Sequence, residues 1–90
     1  MKKYVYHLIC FPFPPSDVAS GRLIYRQAGK VALQKPLREG RISGQGVVFR
    51  LDRRDRAFLA RKLPLFAQFA GRLADGTPFH TREAEVRGRP

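Results

Sequence analysis

The side chains able to do chemistry in this chain are few, and they do not fall at catalytic spacings. His7 and His80 are far apart, each on a stretch that reads as a strand, and neither has a Cys or carboxylate at ligand spacing beside it. Both read as structural histidines. Glu83 and Glu85 share one side of an extended segment, but Arg82 and Arg87 lie beside them, so a solvated charged strand explains them more simply than an acid–base pair. Asp52 and Asp55, three residues apart, fit a helix N-cap and its reciprocal partner. Ser43 sits in Ile42-Ser43-Gly44-Gln45-Gly46, which lacks the first glycine of a nucleophile elbow. No glycine loop leads into Lys-Ser or Lys-Thr, so a P-loop is excluded. The lone Cys10 can form neither an intrachain disulfide nor a multi-cysteine metal site, which fits a reducing compartment; strand alternation makes it a small buried hydrophobe. The expectation is a protein without enzyme activity, metal or cofactor.

What the chain has in quantity is positive charge. Eighteen Lys and Arg stand against seven Asp and Glu, a net +11. Such a balance attracts polyanions: nucleic acid, an acidic protein or an anionic membrane surface. Arginine dominates, and its planar fork suits bidentate contact with phosphate or carboxylate. The densest group is Arg50, Arg53, Arg54, Arg56, Arg61 and Lys62, broken only by Asp52 and Asp55. This basic turn is the candidate partner-binding surface. Aromatic pairs such as Tyr4/Tyr6 and Phe66/Phe69 could stack bases in a barrel. Phe66 and Phe69 differ in parity, however, so one regular strand cannot show both on one face. No RNP or zinc-finger pattern occurs.

These residues need elements to position them. Ninety residues allow one domain, 1–90, with a single core. A hydrophobic share of 43% is enough to build that core. No apolar run approaches the roughly 18 residues of a membrane span. The opening Lys-Lys-Tyr-Val-Tyr-His-Leu-Ile-Cys-Phe is interrupted by Tyr and His and followed by prolines, so it reads as a mature strand rather than a signal peptide. Residues 3–11 alternate, with Tyr4, Tyr6, Leu8 and Cys10 on one side and Val5, His7, Ile9 and Phe11 on the other. Both sides are largely apolar, which predicts a central or well-covered strand. Residues 22–26 and 30–34 read as strands joined at Ala28-Gly29, and 37–46 as a loop or weak, bulged strand. Residues 46–51 form a strand with Val47, Phe49 and Leu51 on one face. A short helical turn falls within 52–61, with Phe58 and Leu59 turned inward. Residues 62–87 make two extended arms around Asp75-Gly76-Thr77, where Asp-Gly suits a type I′ hairpin turn. Five to seven short strands and one helical turn predict an all-β domain, a small β-sandwich or barrel.

Two family resemblances follow from these patterns. Residues 46–55, then 63–69, then Arg72-Leu73-Ala74-Asp75-Gly76-Thr77 with Thr81 after it, resemble small immunoglobulin-like β-sandwich proteins of phage and prophage structural clusters. Asp55 matches their turn acid and Asp75-Gly76-Thr77 their hairpin tip. The Arg-rich turn departs from their usual Gln/Glu-rich version. The resemblance covers the last half of the chain. It implies a virion component of the tail or head–tail region, found in the virion or host cytoplasm, that docks with other copies or other proteins through surfaces. Second, Arg41-Ile42-Ser43-Gly44-Gln45-Gly46 looks like the Ser-x-x-Gly element of PilZ domains, with Arg41 where an Asp or Asn is usual. Arg22 and Arg26 would supply that family's arginine pair. It implies cyclic di-GMP binding at Arg22, Arg26, Ser43 and Gly46. A small basic nucleic-acid-binding β-barrel is the remaining alternative.

Overall fold

In the computed structural model, which describes residues 5–86 apart from the side chains of Val5 and His7, strands carry the fold. They are β1 (Val5–Cys10), β2 (Val18–Gln27), β3 (Lys30–Pro36), β4 (Arg41–Ser43), β5 (Gly46–Leu51), β6 (Phe66–Leu73), β7 (Pro78–His80) and β8 (Ala84–Glu85). One helical turn, α1 (Arg53–Arg56), follows β5. The expected all-β class with a short helical turn holds, with eight strands among the described residues where five to seven were expected. Two antiparallel sheets form. One has the order β1-β5-β4; the other runs β3-β2-β6-β7, with β8 also pairing to β6.

The sheets pack face to face through one alternating set of side chains. Val47, Phe49 and Leu51 of β5 meet Leu23 and Tyr25 of β2 and Ala67 and Phe69 of β6 in a single buried cluster. Period-2 alternation puts each set on one side of its strand, so burying one side of each sheet makes the core. Phe11, Phe13, Phe69 and Phe79 fill one end of the sandwich; Phe11 meets Phe69 edge-on with ring centroids 5.2 Å apart. Such edge-to-face pairs add roughly 0.5–1.5 kcal/mol beyond the area they bury. Burial pushes the Tyr25 hydroxyl pKa upward, and the charge of Asp55 adds to the shift.

The turns differ from the expectation in an instructive way. The type I′ geometry falls at Ala28-Gly29, where both φ angles are positive, 52° and 76°. Register explains it: Gln27 pairs directly with Lys30, leaving a two-residue loop. At Asp75-Gly76 only Gly76 is left-handed, at φ 91°. Gly76 N–H donates to Leu73 C=O and Leu73 N–H to Thr77 C=O, both at 2.9 Å, which closes a three-residue loop of type I plus a glycine bulge. Asp75 keeps a right-handed backbone and its carboxylate accepts from Thr77 N–H at 2.9 Å. The hydrogen bonds from Thr77 hold the Asp75 carboxyl below the usual carboxylate range.

The hairpin's return arm is broken. Thr81 takes a place in the ladder by donating N–H to Phe69 C=O at 2.9 Å and accepting from Phe69 N–H through Oγ1 at 3.0 Å. The chain then resumes as β8 against Phe66 and Ala67. Residues 37–46 contain a 3-10 turn (Leu37–Glu39) and the short β4. The largest correction concerns β1. It is an edge strand, paired only with β5 among the described residues, and one face of it is open to solvent. Cys10 is on that face and exposed, not buried. Alternation reports that a face is apolar; it does not report what covers it.

Candidate functional site

The basic segment after β5 is the most elaborately held stretch of surface. Its start is a reciprocal cap. Asp52 accepts from Asp55 N–H at 2.8 Å, and Asp55 accepts from Asp52 N–H at 3.1 Å. The sequence expectation of an N-cap pair holds even though Asp replaces the usual Glu. Accepting the Asp55 amide, with Lys35 adding positive charge, holds the Asp52 carboxyl below the usual carboxylate range.

Two ties then anchor the segment to the opposite sheet. Lys35 of β3, itself buried, reaches Asp55 at 2.6 Å and Glu39 at 3.5 Å. A buried ammonium is tolerable only when paired in this way. Farther on, Gln27 at the end of β2 treats Ala60 as a strand neighbour. Its Oε1 accepts from Ala60 N–H at 2.9 Å, and its Nε2 donates to Ala60 C=O at 2.8 Å and Leu63 C=O at 3.3 Å. Gln27 is buried, so these bonds are sheltered from competing water. Leu59 packs against the core beneath.

Between the two ties and on either side of them the chain is largely exposed. Arg53, Arg54, Arg61 and Lys62 are exposed, Arg56 is half-buried, and Arg50 is exposed at the end of β5. Phe58 stands at the crest with 65% of its surface open. The sequence expectation turned it inward with Leu59. Successive side chains on a helical turn point about 100° apart, and the core takes only Leu59. The result is a segment held at two points that exposes Phe58 within a run of sequence carrying Arg53, Arg54, Arg56, Arg61 and Lys62. Sequence reasoning found the cations and missed the ring. The signal available was Arg56-Ala57-Phe58-Leu59, where a single turn has room for one buried side chain.

The hairpin tip, Asp75, Gly76 and Thr77, is exposed and occupied with its own turn bonds. Arg72 donates to Gly76 C=O at 3.0 Å. The residues of the dinucleotide alternative fall into two groups. Arg22 and Arg26 lie on the outer face of the β3-β2-β6 sheet, whereas Ser43 and Gly46 flank the β4–β5 turn in the other sheet. Arg26 donates to Gln68 Oε1 at 2.9 Å and to Glu83 at 3.3 Å. Gln68 Nε2 in turn donates to Thr81 C=O at 2.9 Å and lies 3.3 Å from His80 Nδ1. His80 and Glu83 thus belong to one surface network. Glu85 is on β8 beside Phe66. The side chain of His7 and all of Arg87 lie outside the described residues.

Beside β4 runs a groove of about 480 Å³ whose lining includes Tyr6, Arg38, Glu39, Arg41, Val48 and Arg50. Among the described residues no three His, Cys, Asp or Glu gather closely enough to hold a metal ion, and no helix is long and apolar enough to cross a membrane. Compared with protein-family models, with curated proteins and with solved structures, the chain matches none.

Proposed function

We propose that the chain is a non-enzymatic interaction module, a structural component of a phage or prophage particle, that docks on an acidic neighbour through the segment from Arg53 to Lys62. The observation that carries this reading is the pair of ties, Lys35–Asp55 and Gln27–Ala60, which hold an exposed Phe58 and its surrounding arginines in place. Ordering cationic side chains and an aromatic on a pre-set loop lowers the entropy lost on binding. Phe and Arg are among the residues enriched at protein interfaces, and Arg among those that carry most of the binding energy. The resemblance of residues 46–77 to phage β-sandwich proteins supplies the setting.

The test is to purify particles from a host carrying the gene and look for the chain by mass spectrometry. The expected result is its presence in particles, and its loss when Arg53, Arg54 and Arg56 are changed together to Ala. Particles that never contain the chain would sink the structural reading.

A second reading is favoured by the same exposed ring. Phe58 among arginines could stack on a base while the cations meet phosphates, as in single-stranded nucleic-acid binders. Titration of labelled single-stranded DNA at two salt concentrations separates the two. A nucleic-acid binder takes up the strand at low salt and loses it steeply as salt rises, whereas a module that docks on an acidic protein leaves the strand unbound at both.

A further inference from the structure

Four strand edges border the two sheets, and three of them carry features that prevent further pairing. β4 is three residues long and begins with Arg41; β7 and β8 are shorter than four residues, with Pro78 in the first and Glu85 in the second. β3 carries Lys30 and Pro36 and is offset from β2 by a bulge at Tyr25/Arg26. Short strands, charge, proline and bulges are the means by which proteins blunt sheet edges. β1 has none of them. Its six residues, Val-Tyr-His-Leu-Ile-Cys, include no Lys, Arg, Asp, Glu or Pro, and its register with β5 runs unshifted from Val5↔Leu51 to Cys10↔Gly46.

The direction of its backbone groups follows from one hydrogen bond. Phe11 N–H donates to Gln45 C=O at 2.9 Å, on the side of β5. Alternation then turns the odd-numbered residues toward β5 and the amides and carbonyls of Leu8 and Cys10 outward. On the outer face of the same strand Tyr6 is 61% and Leu8 51% exposed, with Val48 directly across from Leu8. This is the composition of a covered strand on a face where Tyr6 and Leu8 are more than half exposed.

We infer that β1 pairs antiparallel with β1 of a second copy, joining the two three-stranded sheets into one of six. Self-pairing keeps apolar against apolar only in registers that preserve parity. The register centred on Leu8 sets the outward amide and carbonyl of Leu8 against those of its copy. It sets Leu8 against Leu8 and Tyr6 against Cys10, all uncharged side chains. Among the described residues, no cation lies on the pairing strand itself. The outward arginine nearest the edge, Arg50, is one strand in, so the two Arg50 rows are three strand spacings apart, about 14 Å. That exceeds the Debye length of about 8 Å at physiological salt. An acidic partner strand would instead set carboxylates beside Tyr6 and Leu8. This pairing does not depend on the docking role of the basic segment.

The test is sedimentation of the full chain over a dilution series, with three variants. The wild type is expected to be a dimer that dissociates on dilution. Leu8→Lys, which sets two ammonium groups together at the twofold, should be monomeric with an unchanged circular dichroism spectrum. In a Cys10→Ser background, Leu8→Cys should give an oxidised covalent dimer, because directly opposed residues there lie about 5.5 Å apart at Cα, within disulfide range. Val48→Cys in the same background, one strand in from the edge, should not. The Arg53/Arg54/Arg56 triple Ala variant should remain dimeric, which separates this inference from the proposed docking. A wild type that stays monomeric at the highest attainable concentration, or a Leu8→Lys protein that still dimerises, overturns it.

Discussion

The two outer faces of the sandwich are finished differently. On the five-stranded sheet, polar side chains roof the surface: Arg26 bridges to Gln68 and Glu83, and Gln68 reaches Thr81 and His80. Ile24, which points outward from β2 between Gln34 and Gln68, is only 9% exposed. On the three-stranded sheet the corresponding positions are Tyr6 and Leu8, more than half open. The difference teaches that an outward apolar residue can be buried by its own chain or left bare, and that strand alternation alone reads both cases alike. The first face is complete as a solvent surface. The second leaves the Leu8 side chain half open.

The sharpest break of this contrast is to truncate one residue on each face. Ile24→Ala should cost about 2–5 kcal/mol, as for a buried branched side chain, measured by urea unfolding. Next in size are the ties between sheets. Gln27→Ala removes three sheltered hydrogen bonds to the 60–63 stretch and should cost roughly 1–3 kcal/mol, with faster amide exchange at Ala60. Asp52→Ala should cost about 1 kcal/mol at neutral pH through the lost cap. The folded Asp52 carboxyl titrates below its ordinary value, so its stabilisation is present above roughly pH 4 and fades as pH falls through the depressed folded value. The gap between wild type and Asp52→Ala should therefore narrow in acid; a gap that widened would remove Asp52 from this role. The smallest effect is expected at the second face. Leu8→Ala, measured on dilute monomer, should shift stability by less than about 0.5 kcal/mol. A loss at Leu8 as large as that at Ile24 would mean the two faces are alike after all.

Much of the fold was legible where local pattern and burial coincide. Val47, Phe49 and Leu51 were placed on one face by parity, and the Asp52–Asp55 cap by its spacing. The parity argument separating Phe66 from Phe69 also held, since Phe69 is in the core and Phe66 is not. What escaped was set by distant pairing. The sequence pattern at Asp75-Gly76 favoured a two-residue turn, but the register of β6 with β7 left three residues to close the loop. Ala28 offers no left-handed preference, yet direct pairing of Gln27 with Lys30 imposes one on it. The cations of the candidate site were visible as a cluster. The ties that fix them were not, because Gln27 is 33 residues before Ala60 and Lys35 lies far upstream of Asp55.

The pairing of β1 with β5 also sets a timing for synthesis. Val5 must wait for Leu51, and Cys10 for Gly46, before the first strand has a partner in its own chain. At roughly 5–20 residues per second on the ribosome, that wait is about 2–9 s. Hairpins form within about 1–10 μs, so β2 and β3 can close long before β1 finds its place. For those seconds the most apolar, least protected strand is without its partner on a nascent chain. A chaperone that binds short uncharged segments would find its best opportunity there, and conditions that slow translation would lengthen the exposure in proportion.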